Sequence, residues 1–428
     1  MKASTILLLV LINTFGASTI LVAQANTTYS KQFLDSLKQV RIKRQQAYFE
    51  SLRPTRTEFI KKLESYPTDS VFSLDIRNLG FTIFPDISRF THITSIQASG
   101  NQLKELKLLA KNIQHLKVLD IRDNQIEKLK IGKAPELKTI YLASNPIHHI
   151  PSRLVFGHQL EVMDLSKTKI RRLPWWMKHK RSLNKLLINS GEFVLDNKNI
   201  RRMRRLKTLQ LSRIRIDSLP RNFSKLKNLE RLTIAYCSLN KLPDNFYKLQ
   251  KLNTLIFYSD AFTKLPEVCY QLPSLTHLDF YYNHIRSIPK GIDQLKNLEH
   301  LYLSFNQISV LPPDIQNLSK LQSFHIHHNN IEIAPQWLSR LTSLEILDLG
   351  FNDIEKLPDL SNLKSLKEVD FQENKLIKFP FQLLELPNTQ LIFLSNNPFS
   401  LSRDEQLRLT KLSKAFADRN GKLILVKE

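Results

Sequence analysis

Apolar and polar positions recur along this chain at a fixed interval. The segment 298–318 reads Leu-x-x-Leu-x-Leu-x-x-Asn-x-Ile-x-x-Leu-Pro, with further apolar residues at Ile315 and Leu318, before Leu321 begins the next copy. The period is 23 residues, and fifteen units in one register predict a repeat architecture whose neighbouring units bury a shared core. The units are 21 to 23 residues apart and begin at Val71, Ile93, Leu116, Leu137, Leu160, Leu183, Leu206, Leu229, Leu252, Leu275, Leu298, Leu321, Leu344, Leu366 and Thr389.

Each position of the repeat has a physical role. The second and third Leu are two residues apart, so they point to the same, inward side of a short strand, while repeat positions 3, 5, 7 and 8 point outward. The Asn at position 9 lies where the chain turns out of the strand, and its amide can satisfy backbone groups of adjacent turns. The Pro at position 15 fixes an extended connector, and apolar positions 18 and 21 suit one turn of helix or 3₁₀ helix.

This pattern resembles the leucine-rich-repeat family, in its 23-residue Leu-Pro-containing class, over roughly residues 71–400. The resemblance implies an α/β solenoid with a curved parallel sheet on the concave face and short helical, 3₁₀ and extended segments on the convex face. We expect a signal peptide over residues 1–25, a helical N-terminal cap over 26–70, the solenoid over 71–400 and a C-terminal cap over 401–428. The fold leaves the ligand open, since sites are grafted onto folds.

The N-terminal segment predicts export. Lys2 is followed by a mostly apolar run over residues 6–22 and by Ala-Gln-Ala at 23–25, a small-x-small cleavage site. An uncleaved membrane anchor is the alternative, although polar residues dilute the run. We expect a periplasmic, cell-surface or secreted protein.

The chain has only two cysteines, Cys237 and Cys269, so no disulfide framework is expected. Animal extracellular members of the family usually have disulfide-bonded caps. Their absence favours a bacterial cell-envelope protein, as an implication of the resemblance.

Aromatic and histidine side chains collect at the outward positions of the eighth to thirteenth copies. Rings on a solvent-facing sheet bury little in the monomer, and such patches are enriched at interfaces. Stacking of the rings along their columns is the alternative interpretation. We predict that a protein or glycan partner binds Tyr236, Tyr258, His277, Tyr281, Tyr282, His300, Tyr302, Phe305, His325, His327, His328 and Phe351.

The histidines of this patch raise two further possibilities. His325 and His327 share one face, with His300 one strand away and Asp348 one strand further on, so a metal site is geometrically conceivable. No nearby Cys completes it, and we assign no metal. A pH-sensitive contact is the milder alternative, because histidines titrate near neutrality.

Positive charge is concentrated in about two repeats. The formal net charge is +24, and residues 167–207 hold fourteen Lys or Arg against two acidic residues. Most of these fall after the strands, beside Trp175 and Trp176. They could bind anionic lipid or polyanionic glycan, and nucleic acid is the least expected partner of an exported chain. A solvated convex face is the alternative. The candidate anion-binding residues are Arg171, Arg172, Lys178, Lys180, Arg181, Arg201, Arg202, Arg204 and Arg205.

The same region departs from the repeat pattern. In copies five to nine the Asn of position 9 is replaced, which predicts a change of curvature and two arcs of solenoid. The replacing residues are Thr168, Gly191, Ile214, Cys237 and Asp260.

No catalytic residue or cofactor is predicted. A Gly-rich phosphate loop, a Gly-x-Ser-x-Gly elbow, a His-Glu-x-x-His pair and paired-Cys metal motifs are all missing from the sequence. Two non-enzymatic functions remain: a receptor for a protein or glycan on the concave aromatic face, and an envelope adhesion protein that uses the basic edge. Salt should weaken the second and spare the first.

Overall fold

The computed structural model describes residues 39–40, 43–44 and 47–425. The chain divides into two units, Met1–Leu52 and Arg53–Glu428. In the first unit, residues 39–40, 43–44 and 47–51 are helical. The expected signal peptide, residues 1–25, and most of the cap sequence before Arg53 lie outside the described residues, so these assignments stay predictions.

Parallel strands dominate the second unit. One sheet of sixteen strands has the order β1-β2-β4-β6 and then β7 through β18 in sequence, and a separate two-stranded sheet pairs β3 with β5. The strands are β1 (Ser73–Asp75), β2 (Ser95–Gln97), β3 (Glu105–Leu108), β4 (Val118–Asp120), β5 (Lys128–Ile131), β6 (Thr139–Tyr141), β7 (Val162–Asp164), β8 (Lys185–Asn189), β9 (Thr208–Ser212), β10 (Arg231–Ala235), β11 (Thr254–Tyr258), β12 (His277–Asp279), β13 (His300–Tyr302), β14 (Ser323–His325), β15 (Ile346–Asp348), β16 (Glu368–Asp370), β17 (Leu391–Phe393) and β18 (Lys422–Ile424).

Short helical segments connect the strands on the opposite side. The α-helices of this unit are α1 (Arg53–Ser65), α2 (Asn197–Arg202), α3 (Gln382–Glu385) and α4 (Arg403–Asp418). Turns of 3₁₀ helix span Ala110–Asn112, Ser152–Phe156, Trp175–His179, Arg221–Lys225, Asp244–Lys248, Glu267–Gln271, Ile292–Gln294, Pro313–Asn317 and Gln336–Arg340. The α/β leucine-rich-repeat solenoid expected from the repeat is confirmed.

The core is continuous from copy to copy. In the eleventh copy, Leu301 and Leu303 of the strand segment and Ile315 of the 3₁₀ turn are fully buried. Pro312 precedes that turn in an extended conformation, as expected of a residue that has a fixed φ and no N–H to donate. Each unit thus buries its apolar side only because its neighbours cover it.

Both ends of the solenoid are covered by helices. At the first repeat, α1 buries Leu63, and Arg56 donates to the carbonyl of Gly80 at 2.6 Å. At the last repeat, α4 begins with a capping box between Ser402 and Glu405, buries Phe416 and is followed by β18, which extends the sheet.

A buried asparagine closes most strands. Asn306 donates from Nδ2 to the carbonyls of Phe280 and Leu303, both at 2.9 Å, and its Oδ1 accepts the N–H of Ile285 at 2.9 Å. The carbonyl of Phe280 also accepts from Asn283, so consecutive amides share acceptors and form a ladder. The predicted role of position 9 is therefore confirmed, and the ladder continues through Asn101, Asn124, Asn145, Asn283, Asn329, Asn352, Asn374 and Asn397.

The sheet does not break where the ladder does. Strands β8 to β11, which border the replaced asparagines, are five residues long and pair in continuous parallel register. Cys237 donates its thiol to the carbonyl of Ala235 at 3.2 Å, and burial raises the pKa of this thiol to about 11. Cys237 and Cys269 are both buried, free thiols.

Asp260 occupies the ladder position that an amide would fill. Its Oδ1 accepts the N–H groups of Cys237 and Leu239 at 2.9 and 3.2 Å, but its Oδ2 is buried without a hydrogen-bond partner. A carboxylate cannot donate to the turn carbonyls as asparagine does. Burial raises the pKa of Asp260 to about 6.

Replacing Asn306 with Ala should lower the free energy of unfolding by about 2 to 3 kcal/mol, because the buried N–H of Ile285 loses its acceptor. Denaturant unfolding followed by circular dichroism measures this loss. Asn330→Ala, at an exposed position, is the control and should change the midpoint little. An unchanged midpoint for Asn306→Ala would contradict the structural role of the ladder.

Asp260→Asn should stabilise the protein at pH 7, by up to about 3 kcal/mol. The pKa of Asp260 is raised on folding, so wild-type stability falls as pH rises from about 4 through 6, and the variant lacks this loss. Unfolding midpoints measured at pH 4, 5, 6 and 7 should converge at the acidic end. A variant that is less stable than wild type at pH 7 would show that the buried carboxylate is well accommodated.

Candidate partner-binding face

Each repeat leaves its strand through a left-handed residue at position 8. This φ is 71° at Gly100, 58° at Asn78 and 57° at Asn396, residue types that tolerate it. Bulky rings hold the same conformation in the central copies, where most side chains disfavour it. They are Tyr236 (54°), Tyr282 (55°), Phe305 (55°), His328 (53°) and Phe351 (53°).

The left-handed turn places one set of side chains in contact along the sheet edge. We call them the turn rings: Tyr236, Tyr258, Tyr281, Tyr282, Phe305, His327, His328 and Phe351. Tyr282 stacks on Phe305 with ring centroids 4.1 Å apart, Phe305 on His328 at 4.0 Å, and His328 on Phe351 at 4.1 Å. Tyr236 and Tyr282 remain exposed, at 42% and 44%, and the other turn rings are half-buried.

A second set lies on the strands themselves. We call His277, His300, Tyr302 and His325 the strand rings. The rings of His277 and Tyr302 are 4.9 Å apart, and those of Tyr302 and His325 are 4.8 Å apart. The parallel register pairs β12 with β13 and β13 with β14 at equivalent positions, so side chains of one repeat position must lie side by side.

A carboxylate joins the two sets. Asp348 Oδ2 lies 3.3 Å from Nδ1 of His325 and 3.7 Å from Nε2 of His327. Nδ1 of His327 lies 2.8 Å from Nδ1 of His328, so only one of these two nitrogens donates. The twelve predicted partner-binding residues therefore form one surface.

Burial shifts the pKa of several side chains on this surface. It lowers the pKa of His277 to about 4 and also lowers the pKa of His327 and of His328. Burial raises the pKa of Asp279 to about 6. It raises the pKa of Asp370 to about 7, with a further contribution from the charge of Asp348. Near neutral pH these three histidines are mainly uncharged.

The sequence left two interpretations of the rings, and their geometry contains elements of both. They stack along their columns, yet their outer edges face solvent. The sequence pattern did not single out Asp279 and Ser304, which lie among the rings, or Gly350 and Asp370, which lie at the end of this surface beside Asp348. Asp279 and Asp370 both occupy repeat position 5, so the outward residues at that position could have indicated them from the sequence.

The basic edge differs from the prediction at one residue. Lys180 is 5% exposed, and its Nζ donates to the carbonyls of Val155 and Gly157 at 2.6 and 2.7 Å. Burial lowers the pKa of Lys180 to about 8. Its predicted place in an anion-binding surface is wrong, because its charge is used internally. Trp176 is buried as well, whereas Trp175 is 65% exposed.

The other cations of this edge are accessible. Arg172 lies 3.9 Å from Asp196, and Arg202 is half-buried and donates to Asn199 at 3.4 Å. Helix α2, which ends at Arg202, contacts the 3₁₀ turn Trp175–His179 and so brings the two basic segments together. Exposed side chains are found at Arg171, Arg172, Lys178, Arg181, Arg201, Arg204 and Arg205.

Clefts lie mostly away from the rings. Two of about 520 and 710 Å³ lie near β3 and β5, and one of about 510 Å³ lies at the edge of the turn rings, where it is lined by Arg213, Tyr236 and Cys237. Within the described residues, no cluster of His, Cys, Asp and Glu side chains is placed to hold a metal ion. Nor does that part of the chain contain a helix long and apolar enough to cross a membrane.

Family comparisons agree with the repeat. A model described as leucine-rich repeat region matches residues 192–283 and 271–379, and one described as leucine rich repeat matches residues 112–128. No curated protein matches the sequence.

Solved structures with a similar fold come from distant sources. A leucine-rich-repeat protein of Leptospira interrogans is similar over 85% of this chain and 97% of its own, at 25% identity and a TM-score of 0.68. TLR13, in complex with ssRNA13, is similar over 84% of this chain and 52% of its own, at 20% identity and a TM-score of 0.61. The plant peptide hormone receptor RGFR1, in complex with RGF2, is similar over 78% and 58%, at 22% identity and a TM-score of 0.53.

These likenesses concern architecture, and proteins of this architecture typically serve as non-enzymatic binding scaffolds. The repeat, the sixteen-stranded parallel sheet and the matching family models together identify the fold as that of a leucine-rich-repeat solenoid.

Proposed function

We propose that this protein is an exported, non-catalytic receptor that captures a protein partner on the turn rings and strand rings of copies eight to thirteen. The N-terminal sequence supports a place in the periplasm, on the cell surface or outside the cell. The scaffold role typical of the fold supports a protein partner. A glycan is the other ligand that exposed rings suit.

The observation that carries this proposal is the left-handed backbone beneath the position-8 rings. A left-handed residue with a Cβ costs about 1 kcal/mol or more relative to glycine, and Gly100, Asn78 and Asn396 show that smaller residues build the same turn. Stacking returns about 0.5–1.5 kcal/mol per pair. The turn itself therefore gives little reason for rings in the central copies, and partner contact supplies one.

The arrangement of the rings suits capture of a protein surface. Aromatic side chains lose little rotamer entropy on binding, and stacking already fixes these before a partner arrives. Tyr236 and Tyr282 add phenolic hydroxyls to an apolar surface, which is the composition of interface hot spots.

Replacing Tyr282 and Phe305 together with Asn should weaken partner capture about 30-fold or more, which is about 2 kcal/mol. The unfolding midpoint should move little, because Asn tolerates the left-handed turn. Peptides selected on the immobilised wild-type chain from a displayed library of random dodecapeptides provide the probes, and biolayer interferometry gives their affinities.

Tyr247→Asn is the matched control, because Tyr247 is 37% exposed in the 3₁₀ turn on the opposite side of the eighth copy. The selected peptides should bind this control as they bind wild type. Equal binding to the double variant would mean that the rings only pack against each other.

The exposed basic edge favours a second candidate function, adhesion to a polyanion. Seven exposed cations lie on adjoining segments, and only Arg172 has a carboxylate within 4.0 Å among the described residues. Anionic lipid and polyanionic glycan share the chemistry that such a surface attracts.

Retention of the full chain on heparin and on phosphatidylserine vesicles should fall steeply as salt rises. The triple variant Arg201→Gln/Arg204→Gln/Arg205→Gln should elute from heparin at lower salt than the wild-type protein does. The control is a second triple variant, Arg403→Gln/Lys411→Gln/Lys414→Gln, which removes the same three positive charges from α4. It should elute at nearly the same salt concentration as wild type. Equal elution of the two triple variants would assign retention to net charge alone.

A further inference from the structure

The aspartates at position 5 of the repeat occur in two different surroundings. In the first and third copies the fold supplies its own cation two residues later. Arg77 donates to Asp75 at 2.6 Å, and Arg122 donates to Asp120 at 2.7 Å. Both pairs lie on the outward side of the sheet, where side chains two residues apart point the same way.

The later copies keep the aspartates and omit the arginines. Asp348 in β15 is followed at the same spacing by Gly350, and Asp370 in β16 is followed by Gln372. Asp370 accepts hydrogen bonds from the backbone N–H and the amide of Gln372, both at 2.8 Å. Within the described residues no Lys or Arg lies within salt-bridge distance of either carboxylate, and Asp348 contacts only histidines in this way.

These two aspartates occupy directly neighbouring positions on adjacent strands. The register of β15 and β16 pairs Asp348 with Asp370, and like charges opposite each other on adjacent strands destabilise a sheet. A Cβ added to Gly350 would lie 2.9 Å from Oδ1 of Asp370, so the carboxylate leans over the glycine. The space where Arg77 and Arg122 lie in the early copies is therefore left without a cation here.

The whole outward face of the later copies likewise lacks basic side chains. In copies nine to fourteen, repeat positions 3, 5, 7 and 8 contain no Lys and no Arg, although the chain has a net charge of +24. The same positions of the first eight copies contain six: Arg77, Arg122, Lys167, Lys185, Arg213 and Arg231. The outward side of copies nine to fourteen is thus the part of this basic protein that lacks Lys and Arg at its strand positions.

Two further observations on this face point to a ligand. Ser304 is fully buried under the rings at position 7, the same outward side as the aspartates, and its Oγ has no hydrogen-bond partner; Nδ1 of His300 has none either. Buried polar atoms without partners are uncommon in folded proteins. At the edge of the turn rings, the guanidinium of Arg213 lies 4.3 Å from the centroid of Tyr236, so a ring of this surface already accommodates an arginine.

We propose that the receptor face recognises a basic protein segment and binds one of its Arg or Lys side chains between Asp348 and Asp370, beside the rings. This inference rests on the proposed function, because the rings supply the rest of the contact. A guanidinium fits two adjacent carboxylates through its forked donors, and removal of the like-charge repulsion adds to the gain.

The peptides whose binding depends on Tyr282 and Phe305 test this inference. They should be enriched in Arg and Lys, and Asp348→Asn/Asp370→Asn should weaken them about tenfold or more. Gln372→Arg should weaken them similarly, because it rebuilds the Asp-x-Arg pair of the first copy and supplies the cation internally. Asp75→Asn, at the equivalent position of that copy, is the matched control and should leave binding unchanged.

The outcomes separate the two proposals. Ring-dependent peptides that lack basic residues, or that bind the Asp348→Asn/Asp370→Asn variant as tightly as wild type, would overturn cation recognition and leave the receptor face standing. A selection that gives no ring-dependent peptide would remove the proposed function and this inference with it.

Proton release gives a second readout. Asp370 faces Asp348 on β15 and shares its own strand with Glu368, while the outward side chains of β17, Leu391 and Phe393, do not titrate. With a pKa of about 7, Asp370 should release about half a proton when a cation binds beside it at pH 7.

Calorimetric titration with a ring-dependent, arginine-bearing peptide should therefore give different enthalpies in phosphate and in Tris buffer. The difference should disappear in Asp370→Asn. A buffer dependence that persists unchanged in Asp370→Asn would place the proton release, and with it the cation, away from Asp370 and overturn the proposal.

Discussion

The hydrogen bonds of the position-9 asparagine close the turn in nine of the fifteen repeats and set the spacing of those turns. Where a strand ends, its backbone must turn without leaving N–H and carbonyl groups unpaired in the core. The position-9 asparagine satisfies groups from its own turn and from its neighbour, as Asn306 does with Leu303 and Phe280. In copies two to four and ten to fifteen, consecutive amides share a carbonyl, so each of those turns depends on the next.

The conformation of these turns determines which side chains lie in a row on the surface. The turn that positions the amide puts position 8 into a left-handed conformation, and equal spacing of the strands brings the side chains of that position into one row. A row of small residues would build the same turns. The rings of copies ten to thirteen, stacked with centroids 4.0 to 4.1 Å apart, are therefore a rigid patch added to a scaffold that does not require them.

The basic edge and the carboxylates of the ring surface lie on different parts of the solenoid. Exposed arginines gather on the connecting segments of copies five to seven, whereas the outward strand positions of copies nine to fourteen have carboxylates and rings without Lys or Arg. The two surfaces attract opposite kinds of ligand, and salt should affect them differently. Lys180 belongs to neither, since its ammonium group satisfies two backbone carbonyls inside the solenoid.

The sequence alone determined the period, the direction of each strand residue and the contents of the outward columns. Strand geometry has a period of two, and a 23-residue repeat leaves one parallel register. It could not decide whether the rings stack, whether Lys180 is exposed or whether two aspartates 22 residues apart share one site. Those properties depend on distances between side chains of different copies. The paired strands β15 and β16 bring Asp348 beside Asp370, and only the folded sheet shows that no Lys or Arg among the described residues pairs with either carboxylate.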